Sequence, residues 1–307
     1  MKVLKGLEKY SSLGLKTALA IGNFDGVHLG HQKIIKTLVK IAKEKKLVSS
    51  VLTFDPHPEK FFNRSAFFHI QTLDQRLKEI SNLGIQTTVV ASFDKSIAEL
   101  TAEEFISKVI KETFQAKVLV VGENFRFGIK RKGDVARLQA YSPLEGFQLF
   151  SIQSVKIKAK MVSSSLIREL LTAGDVEKAR LYLGRPYELD GIVFRGSLLG
   201  KSIGFPTANL KTENEISPPG VFLTRAQIDS SSFFSLTNIG SCPTFSKKGL
   251  HIETHLLHFD GNLYGKKMRL FFLKKIRDEI KFSSPENLAL QINRDLKTAQ
   301  KYFFPKE

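Results

Sequence analysis

Two histidines at the predicted start of a helix are the first residues whose types and spacing suit chemistry. His28 and His31 follow an apolar run, Thr17 to Ile21, and precede apolar positions at helical intervals, which predicts a strand, a turn and a helix. Unpaired backbone N–H groups and the helix dipole favour a phosphate at such an N-terminus. Two imidazoles three residues apart can share one face of the first turn. The stretch therefore suits a polyanion, and the alternative is that both histidines are surface or capping residues.

A proline-containing loop and an aromatic loop follow two later apolar runs. Asp55-Pro-His-Pro58 ends the run from Val48 to Phe54, so His57 is presented at the carboxyl end of a strand, where open α/β sheets bind ligands. The loop from Gly122 to Gly133 alternates phenylalanines with basic residues such as Arg126, a combination that suits a ring system carrying a phosphate. The alternative for this loop is that the phenylalanines belong to the core and the basic residues face water.

Two hydroxyl-containing strings complete the set of candidate sites. Ser163 to Ser165 form an N-cap cluster before an apolar-periodic run, and Arg168 then lies in the first turn, where the helix dipole slightly disfavours a cation unless an anion is bound. Further along, Lys201 lies between glycines, while Thr207 and Asn209 offer hard oxygen ligands of the kind that Mg²⁺ accepts. The alternative for this second string is a turn followed by an edge strand.

Two patterns along the chain indicate which elements position these residues. Up to about residue 184, strand-like and helix-like segments alternate, which predicts a doubly wound parallel sheet with helices on both faces. From Gly191, short β-rich runs at close spacing predict a smaller antiparallel β-barrel, closed by a helix with Ser284 as N-cap and Pro285 at its first position. We therefore expect domains at residues 1–184 and 185–307, connected through Arg185-Pro186.

Composition and charge narrow the class of protein. The 307 residues are 42% hydrophobic and 25% charged, and no apolar run is long enough for a membrane span, so we expect a cytoplasmic globular protein without a membrane partner. Cys242, the single cysteine, excludes an internal disulfide and disfavours a cysteine-based zinc site. The net charge of +17 raises nucleic-acid binding as an alternative, but the basic residues are dispersed, which favours a solvated surface or anionic substrates. The oligomeric state stays open.

The histidine stretch resembles the signature of a known superfamily. Histidine, any residue, glycine and histidine after a first strand is similar to the nucleotidylyltransferase signature. The longer string Gly22-Asn-Phe-Asp-Gly-Val-His-Leu-Gly-His31 resembles the start of the bacterial bifunctional riboflavin kinases/FAD synthetases. The proline, aromatic and serine strings resemble later motifs of that family, with Ser165 where threonine is common. Gly204-Phe-Pro-Thr-Ala-Asn209 closely resembles the riboflavin kinase signature.

This resemblance implies two ATP-dependent reactions on one chain. Riboflavin and ATP would give FMN and ADP, and FMN with a second ATP would give FAD and pyrophosphate. The resemblance implies that Glu253 accepts the proton of the ribityl hydroxyl in the kinase step. It implies that the triphosphate is handled by His28, His31 and Arg168, and that Mg²⁺ is held by Thr207 and Asn209. The nucleotide- and flavin-binding positions that it implies are Gly22, Asn23, Phe24, Asp25, Gly30, His57, Phe62, Asn124, Phe125, Arg126, Ser164, Ser165, Gly200, Lys201, Gly204, Pro206 and Arg277.

Three alternatives stay open at this point. They are a chain that retains only one of the two activities, a basic nucleic-acid-binding protein on a nucleotidyltransferase-like scaffold, and a flavin-sensing regulator without turnover. The motif residues of both halves are present, which argues against the first. Binding alone requires neither a general base nor a triphosphate clamp, which argues against the third.

Overall fold

The computed structural model describes residues 1–11, 13–62, 67–196, 200, 203–241 and 250–305. Two compact units make up the chain, Met1–Ser164 and Ser165–Glu307. The sequence places the domain boundary later, after residue 184, because the helical segment before it carries no barrel pattern. Lys201 and Cys242 lie outside the described residues, so the expectations for them stay predictions.

The first unit is built on a six-stranded sheet. Its strands are β1 (Lys2–Lys5), β2 (Thr17–Ile21), β3 (Val48–Phe54), β4 (Thr87–Ala91), β5 (Ala116–Gly122) and β6 (Gln148–Ile152). They are ordered β1-β4-β3-β2-β5-β6. Every neighbouring pair is parallel, which confirms the predicted doubly wound arrangement. The strand order reverses between β2 and β5, so the loops after these two strands flank a crevice at the carboxyl edge of the sheet.

The core of this unit forms two layers, one on each face of the sheet. On β2, Leu19 and Ile21 pack into one layer while Ala18 and Ala20 pack into the other, because successive side chains of a strand point to opposite faces. All five residues of β2 are buried. Burial on both faces explains why this run of the sequence is continuously apolar rather than alternating.

Helices accompany the sheet between its strands. They are α1 (Glu8–Ser11), α2 (Leu29–Glu44), α3 (Pro58–Phe61), α4 (Leu73–Asn82), α5 (Lys95–Ala98), α6 (Ala102–Glu104) and α7 (Val135–Glu145); α6 continues as a π-helical segment, Phe105–Thr113, and a 3₁₀ turn spans Ile129–Arg131. A separate hairpin is formed by β7 (Lys156–Ile157) and β8 (Lys160–Met161). In the part of the chain that the structure describes, no helix has both the length and the apolar character that crossing a membrane requires.

The second unit contains a closed barrel. Its strands are β9 (Tyr187–Phe194), β10 (Ala208–Thr212), β11 (Gly220–Ile228), β12 (Ser231–Ser241), β13 (Leu250–Leu256) and β14 (Lys267–Arg277), ordered β10-β13-β12-β11-β14-β9. All of its strand pairs are antiparallel, which confirms the predicted barrel. Helices α8 (Ser164–Thr172) and α9 (Val176–Leu183) precede the barrel, and α10 (Pro285–Phe303) follows it. Ser284 caps α10 by accepting the N–H of Asn287, as the sequence predicts.

Hydroxyl groups occupy part of the barrel interior. Thr224 Oγ1 lies 2.7 Å from Thr237 Oγ1 and 2.8 Å from Ser235 Oγ, and Thr237 Oγ1 lies 3.0 Å from Thr254 Oγ1. All four residues are completely buried, and hydrogen bonding among them offsets the cost of removing hydroxyls from water. Since side chains alternate along β13, Glu253 points away from the interior that Thr254 occupies.

Candidate active sites

The two histidines meet at the N-terminus of α2. His28 is the N-cap residue, and its Nδ1 accepts the backbone N–H of His31 at 3.3 Å. The two imidazole rings are stacked, with centroids 3.6 Å apart and planes 15° from parallel. His28 is buried, at 6% exposure. Capping and ligand binding are therefore not exclusive alternatives here, because the cap itself holds the pair of rings together at the helix end.

Two glycines pack closely in and beside this turn. A Cβ added at Gly30 would lie 3.1 Å from Cε1 of His28, a distance at which the ring has to move. Gly26 has φ +84°, in the left-handed region that favours glycine, and its Cα faces Ile70. The glycine spacing in the sequence thus reflects close packing of the turn as well as an open approach for a ligand.

The side chain of Asp25 is buried and hydrogen-bonded to the protein backbone. Its carboxylate, 1% exposed, accepts the backbone N–H of Ile70 at 3.1 Å and that of Gln71 at 3.3 Å. The backbone carbonyl of Asp25 accepts the hydroxyl of Ser164 at 2.9 Å. Ser164 thereby ties the serine string to the histidine turn. Both contacts support a role for Asp25 and Ser164 in shaping the site, beside the binding role that the sequence predicts for them.

A cavity of about 570 Å³ opens beside this turn, at the carboxyl ends of the strands. Its walls come from the loops after β2 and β5, the end of β3, helix α3 and the segment around the 3₁₀ turn. The sequence-predicted residues Gly22, Asn23, Phe62, Asn124, Phe125 and Arg126 line it. Phe62 is 60% exposed at this wall. His57 instead caps α3, accepts the N–H of Glu59 at 3.1 Å and stacks on Phe67, so it supports the wall rather than lining the cavity.

The sequence allows the phenylalanines of the aromatic loop either to line a ligand site or to belong to the core. The structure combines the two environments. Phe127 is buried in the core at 6% exposure, and its stacking partner Phe125, 5.5 Å away between centroids, packs against the same core; both rings line the cavity. Arg126 Nη1 donates to Oδ2 of Asp134 at 2.7 Å, and Asn124 Nδ2 donates to Ser154 Oγ at 3.2 Å. These contacts hold two polar side chains at the cavity wall.

Arg76 is a site-shaping residue that the sequence motifs did not reveal. It is 2% exposed, and its guanidinium donates to the carbonyl of Asn23 at 2.8 Å and to that of Phe54 at 3.2 Å. Both carbonyls belong to residues that line the 570 Å³ cavity. Burial lowers the pKa of the Arg76 guanidinium, while Asp25 and Asp55 raise it. The sequence gives no signal for this role of Arg76, which lies in the first turns of an amphipathic helix. The residues that its side chain contacts are far away in the sequence.

We expect Arg76→Met to destabilise the first unit by about 1–3 kcal/mol, because the carbonyls of Asn23 and Phe54 lose a charged donor. Calorimetric unfolding of the full chain should show a lower transition temperature for that unit. Arg137→Met is the matched control, since Arg137 pairs with Glu103 at the surface, where ion pairs contribute about 0–1 kcal/mol. Equal transition temperatures for the two variants would contradict a structural role of Arg76.

The serine string continues into α8. Ser164 is its first residue and belongs to the first compact unit, whereas Ser165 and Arg168 belong to the second. Ser165 is exposed and Arg168 half-buried. Arg168 is the fifth residue of α8, just beyond the first turn in which the sequence predicts it. Its expected role toward a triphosphate stays a prediction.

A second cavity, of about 180 Å³, lies on the outer side of the barrel under α10. The sequence-predicted residues Gly200, Thr207, Glu253 and Arg277 line it. Glu253 is flanked in the register by Asn209 on β10 and by Asn238 on β12. Three polar residues therefore lie side by side on adjacent strands, and two of them, Asn238 and Glu253, line the cavity. The motifs had singled out Asn209 and Glu253.

The glycine-containing loop is closed by backbone contacts. The carbonyl of Gly200 accepts the N–H of Phe205 at 2.7 Å, and Gly204 has φ +88°. Nδ1 of His255 lies 2.8 Å from the carbonyl oxygen of Pro206. Pro206 is therefore held to β13, next to the strand position of Glu253, and the loop is fixed against the wall that carries the candidate base.

Electrostatics distinguish Glu253 from an ordinary surface carboxylate. The residue is half-buried, and burial raises the pKa of its carboxyl, while His251 lowers it by a smaller amount. A raised pKa increases the proton affinity of the carboxylate, which a general base at neutral pH requires. The alternative of an exposed glutamate on a barrel strand is therefore disfavoured.

Hard oxygen donors are the candidate metal ligands of the barrel. Asn209 is 6% exposed and packs against Gly196, and Thr207 lines the cavity. Among the described residues, no group of three or more His, Cys, Asp and Glu side chains could hold a metal ion. A hydroxyl and an amide oxygen fit a divalent ion of the Mg²⁺ type, which keeps waters and binds substrate phosphates with few protein ligands.

Arg277 is anchored by a residue that the sequence motifs did not reveal. Its guanidinium forms an ion pair with Asp295 of α10, and both residues line the 180 Å³ cavity. The sequence does contain a signal for the role of Asp295. This aspartate lies among Ile292, Leu296 and Ala299, on the apolar side of an amphipathic helix.

Comparisons with known proteins agree with this division into two sites. The FAD synthetase family model matches residues 12–166, and the riboflavin kinase family model matches residues 183–303. Fold and sites thus define a two-domain enzyme of the nucleotidyltransferase and kinase class. The chain belongs to the family of bifunctional riboflavin kinases/FMN adenylyltransferases.

Individual relatives cover the whole chain. The protein of that name from Haemophilus influenzae is 36% identical over 306 residues, which are 99% of each chain. The one from Buchnera aphidicola subsp. Schizaphis graminum is 35% identical over 309 residues, again 99% of each. A crystal structure from Streptococcus pneumoniae, titled as a macrolide-efflux protein, has a TM-score of 0.88 at 26% identity and covers 98% of this chain and 99% of its own. This structural similarity covers 98% of the chain and therefore includes both units.

Proposed function

We propose that this chain phosphorylates riboflavin to FMN in residues 185–307 and transfers an adenylyl group from ATP to FMN in residues 1–184. The observation that supports this most directly is that each unit has its own cavity, lined by the motif residues of one activity. Phe125 and Arg126 line one, and Glu253 and Thr207 line the other. Two separate sites suit two reactions whose nucleophiles differ in kind.

The nucleophile of the kinase step is a neutral alcohol. Its proton must be accepted as the bond to the γ-phosphorus forms, which calls for a carboxylate within hydrogen-bond reach. Glu253 fits this role because it faces the 180 Å³ cavity and burial raises its pKa. Arg277 at the same cavity supplies a planar cation for phosphate oxygens.

The nucleophile of the adenylyl transfer is the phosphate of FMN, which is already anionic near neutral pH. No base is needed; the protein must instead offset repulsion between two anions, align them and stabilise the departing pyrophosphate. The stacked pair His28 and His31 at the α2 N-terminus is suited to the pyrophosphate side. Phe125 and Arg126 at the 570 Å³ cavity are suited to the flavin side.

Mg²⁺ is the divalent ion that we propose for the kinase step, with Thr207 and Asn209 as its protein ligands. Bound there, it would neutralise charge on the phosphates of ATP. In the adenylyl transfer, His28, His31 and Arg168 would handle the triphosphate together with Mg²⁺. Because both steps consume cellular ATP, we propose that the protein is located in the cytoplasm.

A time course tests the proposed function. Full-length protein is incubated with riboflavin, ATP and Mg²⁺, and the three flavins are separated by chromatography. We expect FMN to appear first and FAD to follow. FMN that accumulates without FAD would contradict the adenylyl-transfer site. If riboflavin stayed unchanged while supplied FMN was converted, the kinase site would be contradicted.

The kinase step should lose activity on acidification at a higher pH than an ordinary glutamate would dictate. The carboxylate form is the base, and burial raises the pKa of Glu253, so protonation inactivates the site above the usual value of about 4.3. The measurement is kcat/KM for riboflavin against pH. FMN adenylylation by the same chain is the control, because it shares ATP but not Glu253. Identical acidic limbs for the two reactions would contradict this assignment.

A further inference from the structure

A buried carboxylate on α10 contacts the wall of the kinase cavity. Asp295 is 4% exposed and lies between Ile292 and Leu296, on the side of the helix that faces the barrel. Removing an ionised carboxylate from water is costly unless it is paired and hydrogen-bonded. An apolar residue at this position would pack between helix and barrel without that cost, so the presence of an aspartate needs an explanation.

Its partner is Arg277, the last residue of β14. Nε of Arg277 donates to Oδ2 of Asp295 at 3.0 Å, and Nη2 donates to the same oxygen at 2.8 Å. The ion pair is nearly closed to solvent, with side-chain exposures of 17% for Arg277 and 6% for Asp295. Gln291 donates its amide to the other oxygen of the carboxylate at 2.9 Å. Two residues of α10 therefore orient one guanidinium of the barrel.

The orientation is specific for arginine. Contacts to Asp295 occupy the Nε side of the fork, Nη1 donates to the carbonyl of Asp278 at 3.0 Å, and Phe282 lies 6.0 Å from Cζ. A guanidinium has five N–H donors, so donors remain after these contacts for a phosphate in the cavity. A planar fork fixed on one side retains little rotamer freedom, which is what preorganised stabilisation of developing charge requires.

We propose that Asp295 is a positioning residue of the riboflavin kinase reaction, which acts by holding Arg277 toward the phosphoryl group in transfer. The proposal rests on the proposed function of the barrel site. Charge on the transferred phosphoryl oxygens is redistributed in the transition state, so a misplaced guanidinium costs rate more than binding. Asp295 itself touches no substrate in this account, and its effect should vanish when Arg277 is absent.

The test is the steady-state kinetics of Asp295→Asn in the full-length chain. We expect kcat for FMN formation to fall about 10- to 100-fold, with KM for riboflavin changed less than about threefold. Asp229→Asn is the matched control: it removes an equal charge from the same unit, at an exposed carboxylate that pairs with Lys266 and contacts neither Arg277 nor the cavity, and should leave kcat unchanged. FAD formation from supplied FMN reports on folding of the first unit, and the melting curve reports on the barrel.

A double-mutant comparison separates positioning from general support of the fold. Asp295→Asn should add less than about twofold to the loss caused by Arg277→Ala, because the two residues act as one unit. If the kcat losses of the two single variants multiplied in the double variant, the proposal would be overturned. A wild-type kcat in Asp295→Asn would also overturn it. If Asp295→Asn does not fold, Asp295→Glu decides: it keeps the buried charge but displaces the guanidinium, and wild-type kcat in that folded variant would overturn the proposal. Absence of FMN formation in the unsubstituted protein would instead contradict the proposed function itself.

Discussion

Glu253→Ala is expected to lower FMN formation from riboflavin by about 10²- to 10⁴-fold, the range that a positioned general base contributes. Without this carboxylate, the ribityl hydroxyl would have to lose its proton to water. The residues that flank position 253 on the adjacent strands are both asparagines. Conversion of supplied FMN to FAD should stay near the wild-type rate, since Glu253 belongs to the second unit. Chromatographic rates for each step, measured separately, provide the comparison.

Glu213→Ala is the matched control for Glu253→Ala. Glu213 follows β10 in the same unit and is exposed, so its loss removes an equal charge without touching the cavity. We expect both reactions to continue unchanged in that variant. If Glu253→Ala silenced both reactions in folded protein, the assignment of one activity to each site would be wrong.

His31→Ala is expected to have the converse effect. FMN adenylylation should slow by about 10²-fold, or roughly 3 kcal/mol in the barrier, which is typical for the loss of one preorganised contact to developing charge. The stacked partner His28 would also lose the ring that packs on it at 3.6 Å between centroids. Riboflavin phosphorylation should persist, and FMN should therefore accumulate in the time course.

Lys36→Ala serves as the control on the same helix. Lys36 is exposed on α2, so the substitution removes a full positive charge near the site while leaving the stacked histidines in place. If FAD formation depended only on positive potential, Lys36→Ala would slow it, whereas a specific contact predicts a loss in His31→Ala alone. Equal rates in His31→Ala and the unsubstituted protein would remove His31 from the proposed triphosphate site.

Several features of both sites could be read from the sequence because their causes are local. A strand that ends in glycine and enters a helix places His28 and His31 at the helix N-terminus whatever the rest of the chain does. The Ser284 cap of α10 is likewise set by a neighbour three residues away. Continuous apolar runs in the first part and short β-rich runs in the second were sufficient for the fold class.

Other elements were missed because local signals were weak. Strand β1 has only four residues and is stabilised by pairing with β4, more than 80 residues later. Helix α7 contains Pro143 in its interior, which local rules read as a helix breaker. Strand β9 starts at Tyr187, ahead of the apolar run at Ile192, because its first residues pair with β14.

The sequence by itself determined the class of fold, the order of the motifs and the kinds of chemistry available, since each follows from residue types at short spacing. Tertiary structure decided which residues shape the sites. Arg76 reaches Asn23, Asp25 reaches Ile70, and Asp295 reaches Arg277. Each of these contacts joins a buried charged side chain to a separate segment of the chain. Only the packed chain decides where such a charge finds the partner that offsets its desolvation.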